Sequence, residues 1–288
     1  MPRLRMAAPE TVEDLTRRRE KERQGRLRRV EDELVERGAS FRIGSVPYLN
    51  AVPLTRGLEE HTVFLPPSRL AAALRAGELD AALVSVSEVL LQDRFDVLDG
   101  VAVASLGEVK SVFLAHRVPL DEIREVSCDP ASLTSVLLLR VLLAERGIRP
   151  AFRSLDCVDR TNLPDAVLLI GDTALEYLLG PHDHQIWDLG EAWHESTRLP
   201  FVYAVWALRR DPGLTPLRRL LREARSFGLD TLDALIAERR EFTPEFRRDY
   251  LGWHIHYHLG EDERRGIGRF IELLDRHGLG PVFEPHYV

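Results

Sequence analysis

The sequence predicts an α/β protein of two lobes with a ligand cleft between them. Three observations carry this reading. From Phe41 onward, short β-branched runs alternate with longer runs of helical period, the pattern of sheets covered by helices. Two long extended segments, 101–118 and 185–208, flank a central block that has its own strands and helix. That suits a chain crossing to a second lobe near residue 120 and returning near residue 200. Beyond Asp211 the pattern turns almost wholly helical, so the last helices pack back on the first lobe. The division that follows is a charged helical extension over 1–40, a discontinuous first lobe over 41–120 plus 205–288, and a second lobe over 121–204. Folds of this kind hold ligand in the cleft and close by a hinge.

The elements follow in order. Residues 11–38 are dense in Arg and Glu, with apolar residues thinly spread. Leu27, Val30, Leu34 and Val35 fall at helical spacing, giving an amphipathic helix that ends near Gly38. It reads as an exposed helix or, alternatively, as one that binds a partner or dimerises. A strand over 42–46 enters a turn carrying Pro47 and Pro53, then a short helix to Glu60. A strand at 62–65, a helix at 67–76 stopped by Gly77 and a strand at 81–86 come next. Further strands are expected at 101–105, 111–116, 125–128, 151–154 and 167–170, with helices at 133–145 and 173–179. The last strong strand is 201–208, followed by helices over 216–226, 231–238, 243–254 and 262–277. The alternation implies parallel sheets wrapped by helices.

Composition excludes several classes. The chain has 288 residues, 44% apolar and 30% charged, ordinary for a globular protein with room for two modest lobes. A formal charge of −7 argues against a general nucleic-acid binder, which needs a basic face. Lysine occurs only at 21 and 110, so Schiff-base or pyridoxal-phosphate chemistry has one plausible residue, Lys110, and is not expected. Cys128 and Cys157 show no metal or disulfide spacing and read as two buried thiols. No apolar run approaches the ~18 residues of a membrane span, and the N-terminus lacks the apolar core of a secretory signal. A cytoplasmic protein is expected.

Four motifs could carry chemistry. In Arg42-Ile-Gly-Ser-Val-Pro-Tyr-Leu-Asn-Ala-Val-Pro-Leu54, a strand runs into a proline-bounded turn that places Tyr48 and Asn50 at a sheet's carboxyl edge, where open α/β sheets bind ligands. Asn50 offers donors and an acceptor to a hydroxyl or carboxylate, or it simply caps a helix. In Leu83-Val-Ser-Val-Ser-Glu88, Ser85 and Ser87 stand where a strand becomes a helix and could face an anion, or cap that helix. In Asp129-Pro-Ala-Ser-Leu-Thr-Ser135, Ser132, Thr134 and Ser135 occupy the first turn of an apolar helix ending at Glu145. Unpaired N–H groups give such a start a partial positive charge, and three hydroxyls around it suit a carboxylate or phosphate. In Val167-Leu-Leu-Ile-Gly-Asp-Thr-Ala-Leu175, Asp172 directly follows a buried strand and a glycine. It is a helix cap, a hinge or substrate contact, or a proton-handling carboxylate.

Two histidine groups are weaker signals. His254, His256 and His258 alternate and on a strand would share a face able to bind metal, but helical signals before and after oppose that geometry. His182 and His184 lie in a loop with only Asp183 as a carboxylate neighbour. Neither group is expected to hold metal. Phosphate-loop, nucleophile-elbow and dinucleotide glycine motifs are absent from the sequence.

Six segments in order, RIGSVPYLNAVPL, GELDAALVSVSE, VKSVFL, DPASLTSVLLL, LLIGDTAL and DLGEAWHESTRLPFVYAVW, resemble the chorismate dehydratases of the futalosine route to menaquinone. The resemblance runs from Arg42 to about Leu208. The enzyme acting later in that route has Cys-Pro-Asn-Asp where this chain has Pro-Tyr-Leu-Asn, which favours the dehydratase. One departure is Arg198, which stands where the family usually has Gly before Leu-Pro. The first forty residues have no counterpart in the resemblance.

The resemblance implies a periplasmic-binding-protein-like fold of the second type, used as an enzyme. It implies removal of water from chorismate to give 3-[(1-carboxyvinyl)oxy]benzoate, with no metal or organic cofactor. Ser132, Thr134 and Ser135 would hold one substrate carboxylate. Ser85 and Ser87 would hold the other carboxylate or the departing hydroxyl, Asn50 would orient the reacting ring, and Ser111 would line the hinge side. The proton acceptor is either Asp172 or a carboxylate of the substrate itself. A non-catalytic solute binder, a ligand-sensing regulatory domain and the later enzyme of the same route are the rival readings. A homodimer stays open, and neither nucleic acid nor membrane is an expected partner.

Overall fold

A computed structural model describes residues 12–128, 133–155 and 162–288, with side chains from Thr16 onward. The chain opens with helix α1 (Val12–Gly38), whose second half lays Leu34 into the core and Leu27 and Val30 against it. Strand β1 (Ile43–Ser45) leads through a short turn of helix, α2 (Val52–Thr55), to β2 (Thr62–Phe64). Helix α3 (Pro67–Arg75), β3 (Ala81–Ser85), α4 (Val86–Leu90) and the long β4 (Phe95–Ser105) follow. Next come β5 (Val112–His116), β6 (Glu125–Cys128), α5 (Leu133–Glu145), β7 (Ala151–Ser154) and β8 (Ala166–Ile170). Then α6 (Gly171–Leu179), β9 (Gln185–Asp188), α7 (Leu189–Thr197) and β10 (Phe201–Arg209) return the chain. The C-terminal part holds α8 (Thr215–Asp230), α9 (Leu232–Glu238), α10 (Pro244–Asp249) running into a π-helical turn (Tyr250–His254), α11 (Glu261–Arg276) and β11 (His286–Tyr287).

Two sheets result. The first has the order β11-β4-β10-β3-β1-β2 and the second β7-β6-β8-β5-β9. Neither is purely parallel, contrary to the expectation from alternation. In the first, β10 runs antiparallel to β3 and β4, and in the second, β5 runs antiparallel to β8 and β9. These reversed strands are the two that adjoin the crossovers. Each is the first strand the chain forms on entering that sheet from a crossover. The crossovers, 105–112 and 188–201, also correct two sequence expectations. β5 already belongs to the second sheet, so the chain leaves the first before residue 112 and not near residue 120. The expected extended run 185–208 is interrupted by α7, which Asp188 caps by accepting from the N–H groups of Gly190 and Glu191.

Helix α5 is apolar on nearly every side and accordingly buried, with Leu138, Leu139, Val141 and Leu143 fully enclosed. Near the return crossover, Trp193 of α7 packs edge-on against Phe201 of β10 and Phe270 of α11, with ring centroids 5.2 and 5.9 Å away. Its indole N–H donates to the Pro200 carbonyl at 3.1 Å. Cys128 is buried at the end of β6, and Cys157 lies outside the described residues.

The departure at Arg198 now has a physical reason. Arg198 is the C-cap of α7 and adopts φ 61°, ψ 21°, the left-handed conformation that glycine takes without steric conflict. A side chain there costs about 1–2 kcal/mol, part of which is offset because glycine makes the unfolded chain more flexible. Arg198→Gly is therefore expected to stabilise the protein by about 0.5–1 kcal/mol and raise Tm by about 2 °C, read by calorimetry. A Tm at or below that of the natural sequence would show that the Arg198 side chain compensates for its backbone.

Candidate active site between the two sheets

The carboxyl ends of β1, β3 and β8 and the start of α5 meet around a cavity of about 80 Å³, on a measure by which one water needs ~10–15 Å³. Its polar lining is Tyr48, Asn50, Ser85, Thr134, Ser135 and Tyr203, and its apolar wall includes Leu83, Val103, Val112 and Ile170. None of the described lining residues carries a charged side chain. An anion entering here meets neutral donors beside an apolar wall, where each hydrogen bond is stronger than in water.

Hydroxyls join the two sheets directly. Thr134 and Ser135, in the first turn of α5, are buried and face the cavity. Thr134 Oγ1 lies 2.5 Å from Ser85 Oγ, donates to Ser87 Oγ at 2.8 Å and accepts the Ser87 N–H at 3.0 Å. Ser85 faces the cavity, whereas Ser87 is fully buried behind it and supports Thr134. Ser132 lies outside the described residues.

Ser111 does not line the cavity. It is fully buried on the outgoing crossover, where its carbonyl accepts the Gly171 N–H at 2.8 Å and its Oγ accepts from the Tyr250 hydroxyl at 2.8 Å. The side chain of Asn50 also hydrogen-bonds the Tyr250 hydroxyl. Burial pushes the Tyr250 phenol above its ordinary range, so it stays a neutral donor and holds Asn50 and Ser111 in register. Sequence reading missed Tyr250, which sits in the π-helical turn of a segment expected to be plain helix. It missed Tyr203 as well, whose hydroxyl lies 3.1 Å from Ser105 Oγ at the cavity's floor. An aromatic inside an apolar strand carries no signal that its polar end faces a ligand.

Asp172 is placed differently from a free base. Its Oδ1 accepts the backbone N–H of Leu49 at 3.1 Å, so it ties the start of α6 to the turn after β1, and it is not among the lining residues. Burial pushes this carboxyl up to about 6. The Leu49 N–H and Arg239 pull it down, while Glu241 and Glu176 push it further up. Gly171 lies between them with φ 59°, and a Cβ there would meet the Tyr48 ring at 3.3 Å.

The family model for menaquinone biosynthesis matches residues 41–276. The chorismate dehydratase of Thermus thermophilus is 35% identical over 269 residues, which span 84% of this chain and 98% of that protein. The chorismate dehydratase of Campylobacter jejuni is 25% identical over 230 residues, spanning 78% of this chain and 89% of that protein. Among solved structures, the periplasmic aliphatic sulphonate binding protein of Escherichia coli aligns with a TM-score of 0.55 at 13% identity, over 85% of this chain and 89% of that one. The fold is thus periplasmic-binding-protein-like, and the cavity lies where its two sheets meet. The chain belongs to the menaquinone biosynthesis family.

Proposed function

We propose that this protein is a chorismate dehydratase, a hydro-lyase that converts chorismate to 3-[(1-carboxyvinyl)oxy]benzoate and water. The observation that carries the reading is the hydroxyl cluster of Ser85, Ser87 and Thr134, set with Ser135 and Asn50 around the cavity between the sheets. The likeness to the Thermus thermophilus chorismate dehydratase along nearly its whole length supports the same assignment. Among the described residues, no helix is long and apolar enough to cross a membrane.

The chemistry needs little from the protein. Loss of a ring proton and the neighbouring hydroxyl makes the ring aromatic, so product stability drives the step. The protein holds two carboxylates and fixes the ring in the geometry that eliminates water. Thr134 and Ser135 bind one carboxylate at the start of α5. Ser85 meets the other carboxylate or the departing hydroxyl, and Asn50, steadied by Tyr250, orients the ring. Asp172 already accepts from Leu49 and stands off the lining. We assign it a positioning role and assign proton acceptance to a carboxylate of the substrate.

Three measurements test this. Mixing the protein with chorismate is expected to change the ultraviolet spectrum as the aromatic ring forms, while dehypoxanthine futalosine stays unaltered. Saturable binding with no spectral change would reduce the protein to a solute binder. Ser85→Ala and Thr134→Val each remove a hydrogen bond to a charged group, so each is expected to lower kcat/KM by about 10–100-fold, measured in that assay.

Asp172→Asn is expected to keep turnover within about tenfold, whereas a general base is worth 10²–10⁴. The same variant has a stability signature. The folded Asp172 carboxyl, at about 6, sits above its ordinary value of 3.8, so its ionised form opposes folding. That penalty is absent below 3.8, grows as pH rises through about 6, and is constant above. Denaturant unfolding at successive pH values is expected to show Asp172→Asn gaining on the natural protein across that window by about 1–3 kcal/mol. A difference that does not vary with pH would mean that the carboxyl titrates alike in the folded and unfolded chain.

A further inference from the structure

The alternating histidines of Trp253-His-Ile-His-Tyr-His258 do not act together. His254 closes the π-helical turn, with Nδ1 2.9 Å from the Glu108 carbonyl and Nε2 3.2 Å from the Asp249 carboxylate. Beyond it the backbone is extended. The N–H of His256 donates to the Ala104 carbonyl of β4 at 2.7 Å, and its carbonyl accepts the Ala104 N–H at 3.0 Å. In extended chain, residues i and i+2 share a face, and the rings of His256 and His258 are stacked with centroids 5.5 Å apart.

A third group reaches the same place. Glu263, in the first turn of α11, is buried, and its Oε2 accepts the Gly260 N–H at 2.9 Å. Its Oε1 is left 3.1 Å from Nε2 of His258. One ring nitrogen from each histidine and one Glu263 oxygen lie within 4.8 Å of one another. Nδ1 of His256 is buried and has no hydrogen-bond partner.

We propose that His256, His258 and Glu263 form a binding site for a divalent transition-metal ion of the Zn²⁺ type, fastening the extended segment after the π-helical turn to the start of α11. Two imidazoles and one carboxylate are the donor set that suits Zn²⁺ and its neighbours, unlike the all-oxygen sets of Ca²⁺ and Mg²⁺. Donors at ~2.0–2.1 Å from a tetrahedral ion stand a little over 3 Å apart, and the His258–Glu263 pair is already there. Small side-chain rotations bring in the third ligand. The Gly260 N–H fixes the carboxylate in the manner of an outer-shell partner. An ion pair between His258 and Glu263 alone accounts for two of the three groups and leaves out His256, whose Nδ1 has no hydrogen-bond partner. The exposed side of His258 opens the remaining coordination position to water. None of the three residues lines the cavity between the sheets, so the site is structural and separate from the chemistry.

The test uses the full-length protein, stripped with a chelator and titrated with ZnCl₂ by calorimetry and with Co²⁺ by visible absorption. The expected result is one saturable equivalent, a Tm that rises with added Zn²⁺, and the visible bands of nitrogen- and oxygen-bound Co²⁺. His258→Asn and Glu263→Gln are each expected to weaken binding by about tenfold or more. Glu263→Gln keeps an acceptor for the Gly260 N–H, so its metal-free Tm checks that the helix start survives. No saturable uptake by the natural protein would reduce the group to an ion pair and overturn the proposal. Binding that both variants leave unchanged would place the metal elsewhere on the surface, and that overturns it too.

Discussion

One carboxylate holds the two crossovers together. Asp188, buried at the end of β9, accepts the N–H groups of Val109 and Lys110 on the outgoing crossover and those of Gly190 and Glu191 on the return. A buried carboxylate is costly unless its oxygens are filled with donors, and here four backbone N–H groups fill them. The close approach this requires leaves no room for a side chain at Gly190, whose Cβ would stand 2.4 Å from the Gly107 carbonyl and 2.8 Å from Tyr203 Oη. With the crossovers pinned, Ser111 lies under Tyr250, Tyr250 reaches Asn50, and Gly171 is held on the Ser111 carbonyl. The geometry of the cavity thus descends from a residue that does not line it.

Among the described residues the cavity's polar side chains are neutral, and this shapes what it does well. A guanidinium would bind a dianion more strongly, but it would bind substrate and product about equally, and uniform binding does not accelerate a reaction. Hydroxyls on Ser85, Thr134 and Ser135 and the amide of Asn50 fix direction more than they add raw affinity. An elimination that ends in an aromatic ring asks for that, since its driving force lies in the substrate. The apolar wall of Leu83, Val103, Val112 and Ile170 excludes water and lends each of those few hydrogen bonds more weight.

Much of this was legible in the chain. The helix at Leu133–Glu145 and the strand at Ala151–Ser154 appear with the bounds the sequence indicates, because both are decided locally. Asn50, Ser85, Thr134 and Ser135 meet because each follows a buried strand or opens a helix at the sheets' carboxyl edge. What escaped was decided at a distance. The sheet that β5 joins depends on its partners β8 and β9, and an apolar strand of five residues does not name its neighbours. Tyr250 lies far along the chain from Asn50 and meets it only because a π-helical turn delivers it. Asp172 read as a candidate base because its position after β8 faces the site. Its orientation toward the Leu49 N–H could not be seen in sequence. Arg198 was visible as a departure, but its meaning needed the φ angle.

One apolar core runs through both sheets, and beside it several polar contacts join them: Leu49 to Asp172, Ser85 and Ser87 to Thr134, and Tyr250 to Ser111. Such hydrogen bonds are worth about 1 kcal/mol each on balance, so together they amount to a few kcal/mol. That is the scale on which a ligand shifts a hinge equilibrium. The hydroxyls that latch the sheets are also the ones the proposed reaction offers to substrate. A carboxylate that inserts between Ser85 and Thr134 must take over hydrogens those residues give each other, replacing a latch of protein atoms with one that runs through the ligand. Closure and recognition then draw on the same few donors, and a ligand that cannot satisfy both sides of the join gains nothing by entering. On the proposed reading, specificity follows from the spacing of two carboxylates matched to hydroxyls on both sides of the join, none of the described lining residues being charged.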